Sequence, residues 1–399
     1  SGRRGGGRYR SAGWSDIDYE SISGNLHHAP EKVEGEQMIL RWLTVLILLG
    51  ALAPACSVSG QVVDEGPERV IDLELQERSR LAVERGLQFL KRTQNSDGSW
   101  TDKIGRKVHY EYRGRLGKHV GVTALACIAF LAEGSLPGRG KYGEQVEKGL
   151  DFILRNVQTN GFVTSDESRM YSHAFATLFL AEVYGMTGME RVKEKLKRSV
   201  GLIVQAQNET GGWRYQPGAD DADMSITVCQ VMALRAARNA GINVPKKSID
   251  SAIAYVRKSA SIESGGFMYQ HEIGPSGRVQ RSRTTFPLTA AGITALYGAG
   301  IYEDHLIVDG LRYLSRHRPR RYEALNTFDY YYGMYYATLA AFQRGGEFWT
   351  KWHRDTWRDI LALQNASGSW KDLVGENYAT AMACIILEVP YQYLPIFER

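Results

Sequence analysis

Residues 207–213 read Gln-Asn-Glu-Thr-Gly-Gly-Trp, and this pattern decides the fold. The same spacing, Gln-x-x-x-Gly-x-Trp, recurs at residues 94–100 and 364–370, and weaker copies end at Phe162 and Phe267. We call these five segments the signatures. They recur about every 50 residues, with one interval of twice that length, and a fixed period of this kind is typical of repeat proteins. The sequence therefore predicts a series of similar units rather than unrelated domains.

Each unit is predicted to contain two helices. The helix before the third signature, for example, places Val192, Leu196 and Ile203 on one apolar face. The helix after each signature is more apolar and rich in Ala, Gly, Ser and Thr, as close packing in an inner ring requires. Six such pairs predict an all-α fold, an (α/α)6 toroid of six helical hairpins with inner and outer helix rings. The predicted outer helices are 77–93, 143–157, 190–206, 246–260, 304–316 and 347–363, and the inner helices are 120–133, 172–187, 225–240, 288–300, 329–343 and 378–389.

The signatures have a structural interpretation. The Gln can hydrogen-bond unpaired backbone groups at the end of the outer helix, the Gly can adopt a left-handed turn, and the Trp can cover the next unit. We expect the signatures to hold the ring together rather than to take part in chemistry.

Four regions are predicted along the chain. Residues 1–37 are rich in Gly and Arg, lack apolar periodicity and are predicted to be a disordered extension. Residues 38–60 begin with a short basic segment, continue with an apolar run and reach small residues before Cys56, which is typical of a signal peptide or a membrane anchor. Residues 61–76 are interpreted as a linker and 77–399 as the toroid domain. We expect an exported protein, periplasmic or extracellular, that residues 38–55 could hold at a membrane surface.

The composition argues against several classes of protein. The chain has 399 residues with 49 basic and 44 acidic side chains, a net charge of +5, which is too balanced to predict nucleic-acid binding. Cys56, Cys127, Cys229 and Cys384 show no zinc-type pairing, so neither a metal nor another cofactor is expected. The last three are predicted to be buried thiols, and a disulfide between Cys127 and Cys384 is the alternative.

The three complete signatures resemble the QW motif of squalene–hopene and oxidosqualene cyclases. Residues 77–394 are similar to the prenyltransferase/squalene-oxidase repeat superfamily, which also includes protein prenyltransferase β subunits, and this resemblance implies the same toroid. Asp221-Ala-Asp223-Met-Ser225 resembles the Asp-x-Asp-Asp-Thr motif of the cyclases, with Met224 in the place of the third Asp. The resemblance implies that Asp223 is the acid that protonates a polyene, with Asp221 in support.

The prenyltransferases provide a second comparison. Residues 329–333, Asp-Tyr-Tyr-Tyr-Gly, are similar to the start of the inner helix near their zinc ion, but the expected His and Asp-x-Cys partners are absent. The resemblance therefore implies no catalytic zinc in this chain.

In a toroid, the signature loops and the N-termini of the inner helices meet at one mouth. Unpaired helix N–H groups and two basic loops favour an anion there, such as a diphosphate. Three other interpretations are open. Asp223 could serve only as the cap of its helix, and the tyrosines could serve only as core packing. His119 and His173, with Asp221 or Asp223, could hold a metal. The residues predicted to bind a ligand are His119, Tyr171, His173, Arg281, Arg283, Asp329, Tyr331, Tyr332 and Tyr378.

The favoured function is binding of an apolar, isoprenoid-like ligand in the toroid cavity, with acid-initiated cyclase or transferase chemistry at Asp223. One alternative is a non-catalytic module that binds a peptide, a glycan or a protein. Another is a lyase-like enzyme that acts on an anionic glycan through the basic loops.

Overall fold

A computed structural model describes residues 67–108, 111–273, 279–281, 283–320, 329–392 and 394–397. The predicted disordered extension, 1–37, and the predicted export segment, 38–60, lie outside these residues. The described part contains twelve α-helices and two antiparallel β-hairpins. In chain order they are α1 Pro67–Thr93, β1 Thr101–Val108, β2 Glu111–Lys118, α2 Val120–Ala132, α3 Gly143–Arg155, α4 Met170–Thr187, α5 Glu190–Gln205, α6 Met224–Asn239, α7 Lys246–Lys258, β3 His271–Ile273, β4 Val279–Arg281, α8 Phe286–Gly298, α9 His305–Arg316, α10 Tyr330–Arg344, α11 Gly346–Ala362 and α12 Glu376–Glu388.

The even-numbered helices form a closed inner ring. Helix α2 packs against α4, and the series continues through α6, α8, α10 and α12, which packs against α2 again. The odd-numbered helices lie outside and pack on the inner helices next to them in sequence, while α1 closes the outer layer against α11 and α12. The inner helices are buried along almost their whole length because they have neighbours on every side. The predicted (α/α)6 toroid is confirmed.

The signatures bind the units together through hydrogen bonds. The Gln364 amide donates to the carbonyl of Gly368 in its own turn, at 2.9 Å, and to the carbonyl of Ala82 in α1, at 2.8 Å. Gln94 and Gln207 make the same pair of bonds, to α3 and α7 respectively. The Gln of each complete signature thus binds the next outer helix, and the last copy joins the two ends of the ring.

The tryptophans bind back to the helix that precedes them. The indole N–H groups of Trp100, Trp213 and Trp370 donate to carbonyls at the ends of α1, α5 and α11, at 2.9, 2.7 and 2.7 Å. The signature glycines have φ near +90°, as the left-handed turn requires. These turns fix where the chain enters each inner helix.

Helix α1 begins at Pro67, ten residues before the predicted start at residue 77. Residues 67–76, which were interpreted as linker, are therefore helical. The reason is an apolar stripe that continues upstream, because Leu75, Ser79 and Ala82 are all buried on one face.

The predicted basic loop at 101–118 is a β-hairpin. Its strands β1 and β2 pair from Thr101 opposite Lys118 to Val108 opposite Glu111. Gly105 lies opposite Gly114, where a Cβ atom on Gly105 would collide with the backbone of the partner strand. The hairpin was missed because charged residues occur on both faces, which hides the alternation that identifies a strand. A shorter hairpin, β3–β4, lies at the corresponding position before α8.

Cys127, Cys229 and Cys384 are buried free thiols, so the alternative of a disulfide is wrong. Helices α2 and α12 are neighbours, but the sulfur atoms of Cys127 and Cys384 face different outer helices. Each lies against a glycine, Gly149 in α3 and Gly86 in α1 respectively.

The C-terminal segment covers the end of the ring opposite the mouth. Leu394 and Ile396 are fully buried, and the 3-10 turn Pro395–Phe397 packs on α4 and α6. The backbone N–H of Ile396 donates to a carboxyl oxygen of Glu182 at 3.4 Å. Among the described residues, no helix is long and apolar enough to cross a membrane.

Candidate ligand-binding cavity

A cavity of about 540 Å³ lies where the inner helices begin, and every inner helix or its capping residue contributes to the wall. The lining is mainly aromatic and aliphatic, and none of the described lining residues is a lysine or an arginine. Six tyrosines form much of the wall: Tyr112, Tyr171, Tyr215, Tyr269, Tyr332 and Tyr378. The other lining residues are His119, Gly121, Val122, Leu125, Ser172, Phe175, Ser225, Thr285, Pro287, Leu288, Asp329 and Val374.

Asp223 lies behind this wall, with its side chain 0% exposed. One carboxyl oxygen accepts from the backbone N–H of Ile226 at 3.0 Å and from the hydroxyl of Ser225 at 2.5 Å, which caps α6. The other accepts from Arg214 at 2.8 Å and from the Tyr269 hydroxyl at 3.2 Å. Both oxygens are therefore surrounded by donors, an arrangement that suits a carboxylate.

The bonds around Asp223 extend to the cavity surface. Tyr171 donates its hydroxyl hydrogen to Ser225 Oγ at 2.6 Å, and Ser225 in turn donates to Asp223. The hydroxyl groups of Tyr215 and Tyr269 are 2.7 Å apart, so a second chain leads from Tyr215 to Asp223. Burial raises the pKa of Asp223, while the bonds from Ser225 and the charge of Arg214 act in the opposite direction. Asp223 thus anchors several groups of the wall.

Asp221 has a different position from Asp223. Its carboxylate lies 3.0 Å from Arg214 Nε and is 45% exposed. Arg214 therefore bridges the two aspartates, and its charge is balanced within the wall.

Three further carboxyl groups lie near one another: Asp102 and Asp372, where the first and last units meet, and Asp329 at the start of α10. Asp329 lines the cavity. Asp102, on β1, accepts from the backbone N–H of Tyr378 at 2.7 Å and so holds the start of α12. Asp372 accepts from the backbone N–H of Val374 at 2.8 Å, but its second oxygen is buried without a hydrogen-bond partner.

Burial raises the pKa of Asp102 and of Asp372 to about 7. The negative charges of Asp329 and Asp102 raise the pKa of Asp372 further. These two groups therefore change protonation state near neutral pH, unlike an ordinary aspartate.

The two predicted histidines have structural bonds. His119 lines the cavity and caps α2 by accepting from the Val122 N–H at 3.3 Å. His173 is fully buried, with Nδ1 accepting from the Val163 N–H and Nε2 3.2 Å from the Ser199 carbonyl. Burial lowers the pKa of His119 to about 4 and that of His173 to about 3, so both are neutral at pH 7. His173 does not line the cavity.

The other predicted ligand-binding residues divide into three groups. Tyr171, Asp329, Tyr332 and Tyr378 line the cavity together. Tyr331 is buried in the core and Arg283 is exposed, and neither lines the cavity. The side chain of Arg281 lies outside the described residues.

Some of the helix N–H groups that were expected to be unpaired at the mouth already have a partner. A side chain accepts from one first-turn N–H group in each of α2, α6, α8 and α12, which lowers the unpaired positive charge there. The accepting residues are His119, Asp223, Thr285 and Asp102.

Two wall residues, Tyr215 and Tyr269, were missed, although the sequence contains a signal for them. They lie two positions after the aromatic residue of a signature, where an extended chain returns its side chain to the same side. The other residues at this position, Asp102, Thr164 and Asp372, do not line the cavity. The signatures thus place cavity residues as well as turns.

Solved structures share this architecture. An inactive variant of the α-1,6-mannanase GH76A from a Salegentibacter species, in complex with α-1,6-mannotriose, matches 79% of this chain and 98% of its own, with a TM-score of 0.58 at 10% identity. A variant of the type II terpene cyclase MstE from Scytonema, in complex with geranylgeranyl dihydroxybenzoate, matches 79% and 97%, with a TM-score of 0.53 at 13% identity. The chain has their α/α toroid fold.

A toroid of this type does not define one ligand, because the two matched proteins hold a sugar and a geranylgeranyl compound. Another MstE variant, in complex with the product merosterolic acid A, matches 81% of this chain and 99% of its own, with a TM-score of 0.55 at 13% identity. No protein-family model matches the sequence, and no curated protein matches it.

Proposed function

We propose that the toroid binds an apolar, isoprenoid-like ligand in its cavity. The supporting observation is the cavity itself, which has a volume of about 540 Å³ and is walled mainly by tyrosine rings and aliphatic groups such as Val122, Leu125 and Leu288. This volume is in the range of small-molecule sites, and such a wall favours ligands that lose apolar surface to water.

Within this function, we propose that Asp223 holds the lining residues Ser225 and Tyr269 in place through its hydrogen bonds to their hydroxyl groups. A proton from Asp223 would have to pass through the hydroxyl group of Ser225 or of Tyr269, which both line the cavity, because no part of the Asp223 side chain is exposed. Asp221 supports it by binding Arg214. Acid-initiated cyclisation would be detected as conversion of a geranylgeranyl compound to cyclic products, whereas a binding role returns the ligand unchanged.

Calorimetric titration with geranylgeraniol tests the proposal. We expect binding by the wild type and its loss in Leu125→Trp, because the larger side chain fills the cavity. Val308→Trp is the matched control, since Val308 is 43% exposed on an outer helix. Unchanged binding by Leu125→Trp would place the alcohol elsewhere and refute the proposal.

A glycan is the second candidate ligand, and one observation favours it. Glycosidases use two carboxyl groups, one of which is kept protonated near neutral pH. Asp102 and Asp372, with pKa values raised by burial to about 7, lie close to the cavity-lining Asp329. Titration with α-1,6-mannotriose under the same conditions separates the two candidates, because the apolar site should bind the alcohol and not the sugar.

We further propose that the protein acts outside the cytoplasm, where residues 38–55 could place it at a membrane surface. The apolar run and small residues before Cys56 support this location. Fractionation of cells that express the full chain tests it, and recovery only in the cytoplasm would contradict it.

A further inference from the structure

Three hydroxyl groups that meet at the start of α6 already give their hydrogen to the protein. Tyr171 donates to Ser225 Oγ at 2.6 Å, and Ser225 donates to Asp223 at 2.5 Å. Tyr332 donates to the backbone carbonyl of Ser225 at 3.0 Å. These hydroxyl groups keep oxygen lone pairs, but they have no hydrogen left to donate to a ligand.

His119, which caps α2, has a ring N–H group that it does not use. Its Nδ1 accepts from the backbone N–H of Val122 at 3.3 Å, and burial lowers its pKa to about 4, so the ring is neutral at pH 7. A neutral imidazole whose Nδ1 is an acceptor carries its hydrogen on Nε2. This Nε2–H donates to none of the described residues, and the ring lines the cavity. The His119 N–H is therefore available to a ligand.

Tyr378 and Ser172 provide two hydroxyl groups of the same kind. Both residues line the cavity, and neither hydroxyl group has a hydrogen-bond partner in the part of the chain that the structure describes. The backbone N–H of Tyr378 donates to Asp102 at 2.7 Å, which fixes the start of α12 and with it the place of the ring. Gly121 of α2 lies against Ser172, and a Cβ atom on this glycine would be only 2.8 Å from Ser172 Oγ. Gly121 thus leaves the Ser172 hydroxyl uncovered.

These three groups lie on neighbouring helices of the inner ring. Tyr378 is on α12, His119 caps α2 and Ser172 is on α4, and α2 packs between the other two helices. They therefore form one polar region in a wall that is mainly aromatic and aliphatic. We call His119, Ser172 and Tyr378 the polar region.

We infer that the ligand carries an uncharged oxygen atom that accepts hydrogen bonds from His119 Nε2–H and from the Tyr378 hydroxyl, beside Ser172. This inference rests on the proposed function, because the apolar part of the same ligand occupies the rest of the cavity. Covering these donors with carbon would leave them without an acceptor, which costs free energy. An anion would find no lysine or arginine in the described lining to balance it, and a cation would face the hydrogens of the donors.

Three ligands with the same carbon chain test the oxygen. They are geraniol, geranyl methyl ether, which has an oxygen but no O–H group, and the hydrocarbon in which hydrogen replaces the hydroxyl group of geraniol. Headspace gas chromatography above protein solutions measures the free concentration of each volatile compound and therefore its affinity.

Tyr378→Phe removes one donor and keeps the ring. It should weaken binding of the alcohol and of the ether about tenfold, because each loses one hydrogen bond, and leave binding of the hydrocarbon unchanged. Tyr302→Phe is the matched control, since this ring is 50% exposed and does not line the cavity, and it should alter none of the three affinities.

His119→Asn provides a second, independent test. Asparagine has an oxygen that can cap α2, but it has no N–H group at the place of Nε2. We expect weaker binding of the alcohol and of the ether again, with the hydrocarbon unaffected. Circular dichroism checks that each variant is folded, and either variant alone suffices for the comparison between ligands.

The outcomes separate this inference from the proposed function. If the variants bind the alcohol and the ether as tightly as the wild type does, the polar region is not the oxygen site, while binding of the hydrocarbon still supports the apolar cavity. Equal weakening of all three compounds would mean that the side chains only shape the cavity, and would also overturn the inference. Failure of the wild type to bind any of the three would refute both.

Discussion

At the scale of single residues, two buried aspartates show how environment decides what a carboxyl group does. Asp223 has four donors around two oxygens, whereas Asp372 has one oxygen with none. The donors around Asp223 oppose the rise in its pKa that burial causes, and they fix the geometry of the wall. The arrangement around Asp372 disfavours the charged form, because burial without a donor costs free energy.

Asp223→Asn should destabilise the protein by about 2 kcal/mol. Asparagine has only one acceptor oxygen, and its NH2 group is a donor. That NH2 group must therefore face other donors, either Arg214 and Tyr269 on one side or the N–H of Ile226 on the other. Asp221→Asn is the control, and its cost should be below about 1 kcal/mol because that pair is partly exposed. Urea denaturation measures both. Equal effects would show that the two aspartates are energetically equivalent.

Asp372→Asn should stabilise the protein more at pH 8 than at pH 5. The pKa of Asp372, raised from 3.8 to about 7, means that the folded state favours the protonated form. Its contribution to stability is therefore complete only below pH 3.8, and it is lost progressively as the pH rises from there through about 7. We expect a gain of about 1–3 kcal/mol at pH 8 in urea denaturation.

Asp102 still titrates in this variant, so the pH dependence should become weaker without disappearing. Asp220→Asn is the matched control and should leave the difference between pH 5 and pH 8 unchanged. If Asp372→Asn does not raise the free energy of unfolding at pH 8, the carboxyl group already has a compensating partner in solution.

At the scale of elements, helix pairs pack closely where a glycine on one faces a side chain on the other. A Cβ atom on Gly149 of α3 would collide with the sulfur of Cys127 on α2. Gly149→Ala should therefore lower the free energy of unfolding by about 1–3 kcal/mol. Adding Cys127→Ala to the same chain should restore part of that stability. Gly201→Ala on α5, where nothing lies within 4 Å, should instead stabilise by about 0.5–1 kcal/mol. Differential scanning calorimetry of the four chains tests the contact.

The helices could be predicted because their apolar periodicity is local. Predicted and observed boundaries agree within two residues for every helix end except the start of α1, where the stripe through Leu75 continues upstream. The hairpin β1–β2 could not be predicted, because its charged residues obscure the alternation between faces.

The site was only partly predictable, for a physical reason. Tyr171, Tyr332 and Tyr378 begin inner helices, so their place at the mouth follows from the repeat. His173 begins one too, but its ring accepts from the backbone N–H of Val163, directly after the second signature. The hydroxyl of Thr227 has a comparable role in α6, where it accepts from the N–H of Trp213. Which residues at a helix start face inward depends on the rotation of that helix, and the period of the sequence does not specify it.

At the scale of the whole molecule, the last residues of the chain complete the core. Leu394→Ala and Ile396→Ala should each cost about 2–4 kcal/mol, although they lie within six residues of the C-terminus. The control is Tyr391→Ala, where the ring is 36% exposed and the cost should be below about 1 kcal/mol. Chemical denaturation gives the three values. Equal costs at all three positions would mean that the segment only rests on the surface.

The bond from Gln364 to Ala82 also has a consequence for synthesis. A ribosome releases α1 long before α11 and α12 exist, so the face of α1 at Gly86, which packs against Trp370 and Cys384, lacks these partners during most of translation. The nascent chain must therefore keep this face from aggregating, by holding it in a temporary environment or by binding a chaperone. Limited proteolysis of stalled nascent chains would reveal this, since α1 should resist cleavage only after the final hairpin has emerged.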